Sequence, residues 1–285
     1  MPIEPRSSRV DAGDVSLVVH EWGGDGPVVL LAHPTGFHGR VWAPVAAGLV
    51  GAGRRVVSFD FRGHGDSDAP DIEYSWDGFA DDVVAVATRC GVLGDPDAVV
   101  CGHSKGGAAL LLAEHRMPGS FARIWTYEPI VFPADARFAA TDDNPMSNTA
   151  RRRRNEWASP EDAYAAYSSK PPLSDMTPES LRAYVDYGLR DRGDGVFALK
   201  CAPEIEARIY AMGPRNGAWA ALPEIEPPVV VAFGARSRDI GPGLAARIVE
   251  RLPHGRLEIW EDAGHFGPQA DPPRAVASIL ALADR

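Results

Sequence analysis

The chain has 285 residues, of which 29 are basic and 39 acidic, giving a formal charge of −10, with 45% hydrophobic and 24% charged residues. This composition belongs to a folded globular protein and excludes the disordered and fibrous classes, and the acidic balance argues against nucleic acid or an anionic membrane surface as partner. The length suits two domains, or one large α/β domain with an insertion.

The first strands are expected at residues 16–21 and 28–32, the second followed by His33-Pro34-Thr35-Gly36-Phe37. A strand at 55–59 leads into Asp60-Phe61-Arg62-Gly63-His64-Gly65-Asp66-Ser67, and apolar residues recur at helical spacing over 76–90. A strand at 98–101 runs into Gly102-His103-Ser104-Lys105-Gly106-Gly107 and a helix over 105–115, and a strand at 123–127 ends on Glu128-Pro129. Several of these strands are unbroken apolar runs, the mark of parallel strands covered on both faces. From 133 to 222 the rhythm changes. No strand is expected there, but helices are, at 150–157, 160–167, 178–187 and 203–212, two of them announced by Ser159-Pro160 and Thr177-Pro178, a hydroxyl cap followed by proline in the first turn. A strand at 229–233, a helix at 244–252, a strand at 256–260, the tripeptide Gly264-His265-Phe266 and a helix at 274–283 close the chain.

The chemistry centres on Ser104. Strand, G-x-S-x-G turn and helix follow one another, and small residues flank the serine because the turn passes through a strained backbone conformation that lifts the hydroxyl clear of the sheet. At a helix N-terminus, free amides and the helix dipole favour the negative charge of acyl transfer. His103 is expected to pack the turn, and His64 to be structural. Cys90, Cys101 and Cys201 are odd in number and lack CxxC spacing, so neither a disulfide framework nor a zinc site is suggested. No phosphate loop or metal-ligand spacing is present, and no metal or cofactor is expected. The run Arg151-Arg152-Arg153-Arg154 reads as a solvated helix face. The region 133–222 reads as a helical insertion, a lid between two sheet strands, and its aromatics and methionines, Trp157, Tyr164, Tyr167, Met176, Tyr184, Tyr187, Tyr210, Met212 and Trp219, read mostly as packing between its helices. No stretch reaches the roughly 18 apolar residues of a membrane span, and the first residues lack the apolar centre of a secretory signal, so a cytoplasmic location is expected.

With the loop at 33–37, the loop at 60–67, the serine turn and Gly264-His265-Phe266 in this order, the chain resembles the α/β-hydrolase family over nearly its whole length. The resemblance implies an eight-stranded, mostly parallel sheet, antiparallel only at the second strand and flanked by helices. It also implies a core domain of residues 1–132 and 223–285, with a helical cap at 133–222 inserted after the sixth strand. It makes His265 the base for the Ser104 nucleophile. The family order of serine, acid, histidine leaves two acids: Glu128, where some relatives carry it, and Asp239, in the commoner place but about one residue late. The oxyanion amides implied are those of Lys105 and Thr35, with Gly36 or Phe37 as alternatives for the second. Lys105 departs from the usual apolar residue or glutamine, and its ammonium group is expected to pair with an acid. The activity implied is cleavage of a small-molecule carboxylic ester or lactone through an acyl-enzyme. Rival readings are a cofactor-free haloperoxidase or perhydrolase, a carbon–carbon bond hydrolase, and a non-catalytic ligand receptor. The oligomeric state and the substrate are not legible.

Overall fold

The computed structural model describes residues 3–133, 144–213, 216–237 and 242–284. In chain order, β1 (Arg6–Asp11) and β2 (Ser16–Gly23) precede β3 (Val28–Ala32), a helical turn at Gly39–Trp42, α1 (Ala43–Gly51), β4 (Arg55–Asp60), α2 (Trp76–Arg89), β5 (Val99–His103), α3 (Lys105–Arg116) and β6 (Ile124–Tyr127). Then come α4 (Pro145–Arg151), β7 (Glu156–Trp157), α5 (Pro160–Ser168), α6 (Pro178–Gly188), β8 (Leu189–Asp191), β9 (Phe197–Leu199), α7 (Pro203–Ala211) and α8 (Ala218–Ala221). The last elements are β10 (Val229–Gly234), α9 (Pro242–Val249), β11 (Gly255–Trp260), α10 (Gly267–Ala270) and α11 (Pro272–Ala283).

Alternation along the strands explains why their sequences are apolar throughout. In β3, Val28, Leu30 and Ala32 enter one core cluster with residues of α2, α3 and α9, while Val29 and Leu31 enter the other with residues of α1 and α11. Successive side chains point to opposite faces, and both faces are covered. The eight-stranded sheet has the order β1-β2-β4-β3-β5-β6-β10-β11. β2 runs antiparallel to β1 and β4, and the remaining pairs are parallel, as expected. β1 is missing from the strands read in the sequence because Arg6–Asp11 is a polar, largely exposed edge strand with no apolar run.

Residues 144–224 depart from expectation in two ways. Three short strands form a second antiparallel sheet in the order β7-β9-β8. Two- and three-residue strands are too short to show a period of two, although Asp194-Gly195 between β8 and β9 is a hairpin signal, with Gly193 and Gly195 at φ 78° and 83°. The helix expected at 150–157 instead begins at Pro145, capped by the Asn144 side chain accepting from Ser147 N, and ends at Arg151, so Trp157 lies in a strand. The Ser159 and Thr177 caps form as expected, on Asp162 N and Ser180 N. Trp157, Met176 and Tyr184 pack with Leu181, Val185 and Leu189. α6 lies against the Gly39–Trp42 turn and α1, where the Tyr184 carbonyl contacts His38 Nε2 at 3.1 Å. No helix among the described residues is long and apolar enough to cross a membrane.

The loops after β3 and β4 are tied together by one buried carboxylate. Asp60 accepts from Gly39 N at 2.6 Å and Asp66 N at 2.8 Å, and lies 3.3 Å from His20 Nε2. Gly65, at φ 53°, passes so close that a Cβ there would collide with the same carboxylate. Burial alone would raise the Asp60 pKa, but the His20 and His38 imidazoles and the Asp66 amide together hold it at about 2. An unfolded aspartate titrates near ~3.9, so this group contributes stability above about pH 4 that is lost as the pH falls through 2. Asp60→Asn is therefore expected to cost on the order of 2 kcal/mol at pH 7 in urea unfolding, with the gap to wild type closing between about pH 4 and 2. A gap that does not change with pH would mean that Asp60 acts by shape and not by charge.

Candidate active site

Strand register brings five loops to one edge of the sheet. Ala32 of β3 pairs with Gly102 of β5, His103 with Tyr127 of β6, Tyr127 with Ala232 of β10, and Gly234 with Trp260 of β11. Thr35, Ser104, Glu128, Ser237 and His265 therefore all follow the carboxyl ends of neighbouring strands, where open α/β sheets place their sites.

Ser104 has φ 54° and ψ −115°. Its turn is possible because a Cβ on Gly102 would lie 2.5 Å from Gly107 N, and one on Gly106 would strike the Ala32 carbonyl. The chain after β6 folds back onto the turn: Ser104 N donates to Tyr127 O at 2.9 Å, and Ile130 N donates to Ser104 O at 3.2 Å. The side chain of His103 points into the protein, its ring 4.9 Å from that of His265 and 5.5 Å from that of Tyr127. Burial pushes its pKa well below the ordinary histidine range, which suits a neutral packing residue.

Glu128 is the other special backbone position. With φ 43°, it and Ser104 are the non-glycine residues of positive φ among the described residues. Its carboxylate is fully buried and takes three donors: His265 Nδ1 at 2.6 Å and Ser237 Oγ at 2.8 Å on Oε2, and Gly234 N at 3.1 Å on Oε1. A proton on His265 Nδ1 leaves Nε2 as the basic nitrogen. Among the described residues no hydrogen bond yet joins Ser104 Oγ to His265. The rival acid, Asp239, lies outside the described residues. Ser237 was missed in the sequence, since a loop serine carries no pattern of its own.

The loop at 33–37 is held by His33. Its Nε2 accepts from Phe61 N at 3.1 Å, so Nδ1 carries the proton and donates to Pro34 O at 2.7 Å. Both bonds need a neutral ring, and burial, reinforced by Lys105, pushes the His33 pKa well down. Phe37 N is taken by Pro34 O at 3.4 Å, and Gly36 N is turned to the buried Cys201 thiol, whose pKa burial pushes up to about 12. The amides of Thr35 and of Lys105, the first residue of α3, have no partner among the described residues.

The Lys105 side chain overturns its expected pairing. It is fully buried, with Nζ 3.8 Å from the Phe61 ring centre and 4.4 Å from that of Phe79, and without a hydrogen-bond partner among the described residues. Burial drives its pKa well below the usual lysine range, against the pull of Cys201, Asp82 and Asp60. Sequence alone could not place it, because Phe61 and Phe79 belong to other elements.

Comparison with known proteins identifies the family. The model of the Alpha/beta hydrolase family matches residues 29–279. A 2-(acetamidomethylene)succinate hydrolase of Mesorhizobium japonicum is 24% identical over 278 residues, covering 98% of this chain and 95% of the relative. A bifunctional esterase/perhydrolase of Acinetobacter calcoaceticus is 35% identical over 105 residues, 36% of this chain and 37% of that one. Among solved structures, E-2-(acetamidomethylene)succinate hydrolase superposes with a TM-score of 0.80 at 21% identity, over 99% of this chain and 100% of the other.

The lysine yields a test. An unfolded lysine titrates near ~10.4. With the folded value depressed, the unfolded chain binds the proton more tightly, so stability rises with pH until about pH 10. Lys105→Met is expected to be more stable than wild type at pH 7, and urea unfolding should show that advantage shrinking as the pH approaches 10. An advantage that is absent, or constant from pH 7 to 10, would refute the buried, charge-averse amine.

Proposed function

This chain belongs to the alpha/beta hydrolase family, and on that premise we propose that it is a serine hydrolase that cleaves a carboxylic ester or lactone through an acyl-enzyme. The observation that carries this reading is the pairing of positive φ at Ser104 and Glu128 with the 2.6 Å hydrogen bond from His265 to Glu128. Backbone strain of this kind costs about 1–3 kcal/mol per residue and persists where surrounding structure enforces it, typically at functional sites.

In the proposed reaction, His265 Nε2 takes the proton of Ser104 Oγ as that oxygen attacks the carbonyl carbon. Glu128 holds the Nδ1 proton and stabilises the imidazolium. The amides of Thr35 and Lys105 receive the oxyanion. Collapse expels the alcohol oxygen, protonated by His265, and leaves an ester on Ser104. His265 then deprotonates a water, which attacks that ester, and the acid departs as Ser104 regains its proton. Residues 133–222 act as the cap over the acyl pocket. The Mesorhizobium relative, named a hydrolase and matched end to end, supports hydrolysis. The Acinetobacter relative, named an esterase/perhydrolase, favours peroxide as an alternative to water at the same acyl-enzyme.

Activity-based labelling with a fluorophosphonate is expected to mark wild type and not Ser104→Ala; an unlabelled wild type would overturn the mechanism. On a p-nitrophenyl ester series, Glu128→Gln is expected to lower kcat about 10³–10⁴-fold, with Asp239→Asn within roughly tenfold of wild type. The reverse pattern would make Asp239 the acid.

A further inference from the structure

One arginine of the run at 151–154 does not face solvent. Arg151 pairs with Glu204 at 3.1 Å, and Arg154 lies over the Trp157 ring at 3.9 Å, both near the surface. Arg153 turns inward. Its Nη1 donates to Glu206 Oε2 at 2.9 Å, and its Nη2 donates to the hydroxyls of Tyr167, at 3.3 Å, and Tyr184. Glu206 is itself buried.

The cluster rests on the loop that follows β3. A Cβ added to Gly36 would lie 2.5 Å from Glu206 Oε1 and 3.4 Å from Arg153 Nη1. Gly36 follows Thr35, the proposed oxyanion donor. The Tyr184 ring is 4.7 Å from Phe37, which is 5.1 Å from Phe266, the neighbour of His265. The guanidinium, the oxyanion loop and the histidine loop are thus joined by one aromatic wall.

The cluster is rich in donors. Tyr167 and Tyr184 use their oxygens to accept from Arg153, so each keeps an O–H to donate, and neither proton has an acceptor among the described residues. Among the described residues the acidic acceptor of the cluster is Glu206, whose Oε2 takes Nη1. Ion pairs buried for stability alone are poor value, since apolar residues of similar size commonly do as well. Retaining a guanidinium and two phenols beside the loop of Thr35 and Gly36 has a chemical use when an anion completes them.

We infer that Arg153, with the Tyr167 and Tyr184 hydroxyls, forms a carboxylate subsite, and that the substrate acid carries a second carboxylate besides the carbonyl attacked by Ser104. This rests on the hydrolase reading above and names its substrate class. Glu206 holds the guanidinium fork in place and, as a like charge, limits how tightly the substrate anion binds. Arg153 acts here as a specificity residue and takes no part in proton transfer.

Monoethyl succinate and ethyl succinamate test it, being alike in size and differing in one negative charge. Wild type is expected to favour the anion by at least about 10-fold in kcat/KM. Arg153→Met should lower kcat/KM for the anion about 30-fold or more and leave the amide within roughly threefold, and Arg153→Lys should restore part of the preference. Glu206→Gln should lower KM for the anion, a gain that a purely structural ion pair would not give. Should Arg153→Met not fold, Arg153→Met/Glu206→Gln removes both charges and leaves no uncompensated carboxylate. Equal loss for both esters, or no preference in wild type, overturns the subsite. Thermal stabilisation by succinate itself, present in wild type and lost in Arg153→Met, reads the subsite without turnover. Its absence refutes the subsite even in an active enzyme, and its presence in a protein that no fluorophosphonate labels refutes the hydrolase reading alone.

Discussion

A carboxylate buried completely at the end of β6 must be given donors, and much of the active-site edge is arranged by that requirement. Glu128 draws one donor from the last residue of β10, one from the loop that follows it, and one from the loop after β11. All three arrive only if β6, β10 and β11 lie side by side in the observed register. Left unpaired, a buried carboxylate is expensive enough to protonate or to unfold its surroundings. With charge-assisted hydrogen bonds worth about 1.5–3 kcal/mol each, the set outweighs the about 1–3 kcal/mol of strain at its own positive φ. The same backbone turn sends Ile130 back to Ser104 O, so placing the acid also braces the serine turn.

This dependence on neighbouring strands separates what was legible in the sequence from what was not. The serine turn reads directly because strand, turn and helix are consecutive, and its glycines answer contacts within a few residues or with the adjacent strand. The apolar runs give the parallel sheet for a similar reason: burial on both faces leaves no position free to be polar. Glu128 is legible as a carboxylate out of place, but its three partners come from elements about a hundred residues away. Ser237 is one of them and looks in sequence like any loop serine. β1 is invisible because an exposed edge strand needs no apolar residues, and β7, β8 and β9 because they are too short to carry a period.

Basic residues were the hardest to read, and for one physical reason. A lysine or arginine in sequence carries a strong prior for the surface, and only tertiary neighbours can reverse it. Lys105 is reversed by Phe61 and Phe79, which cover its amine, and Arg153 by Glu206 and two tyrosines, which satisfy its guanidinium. The arginine run thus contains two kinds of residue, and its helical spacing cannot tell them apart because α4 ends at Arg151.

These placements settle the charge environment in which the proposed oxyanion would form. Glu128 lies behind His265 and is matched by three donors, and Glu206 beside the oxyanion loop is matched by Arg153. His33, which fixes that loop, stays neutral because protonation would break its bond from Phe61 N. Among the described residues, both of these carboxylates are matched by donors, which weakens their repulsion of a developing negative charge. In a site this buried, an unmatched charge a few ångströms away would weigh several times more than in water. The proposed transition state therefore meets amides whose electrostatic work is not undone by the neighbouring acids.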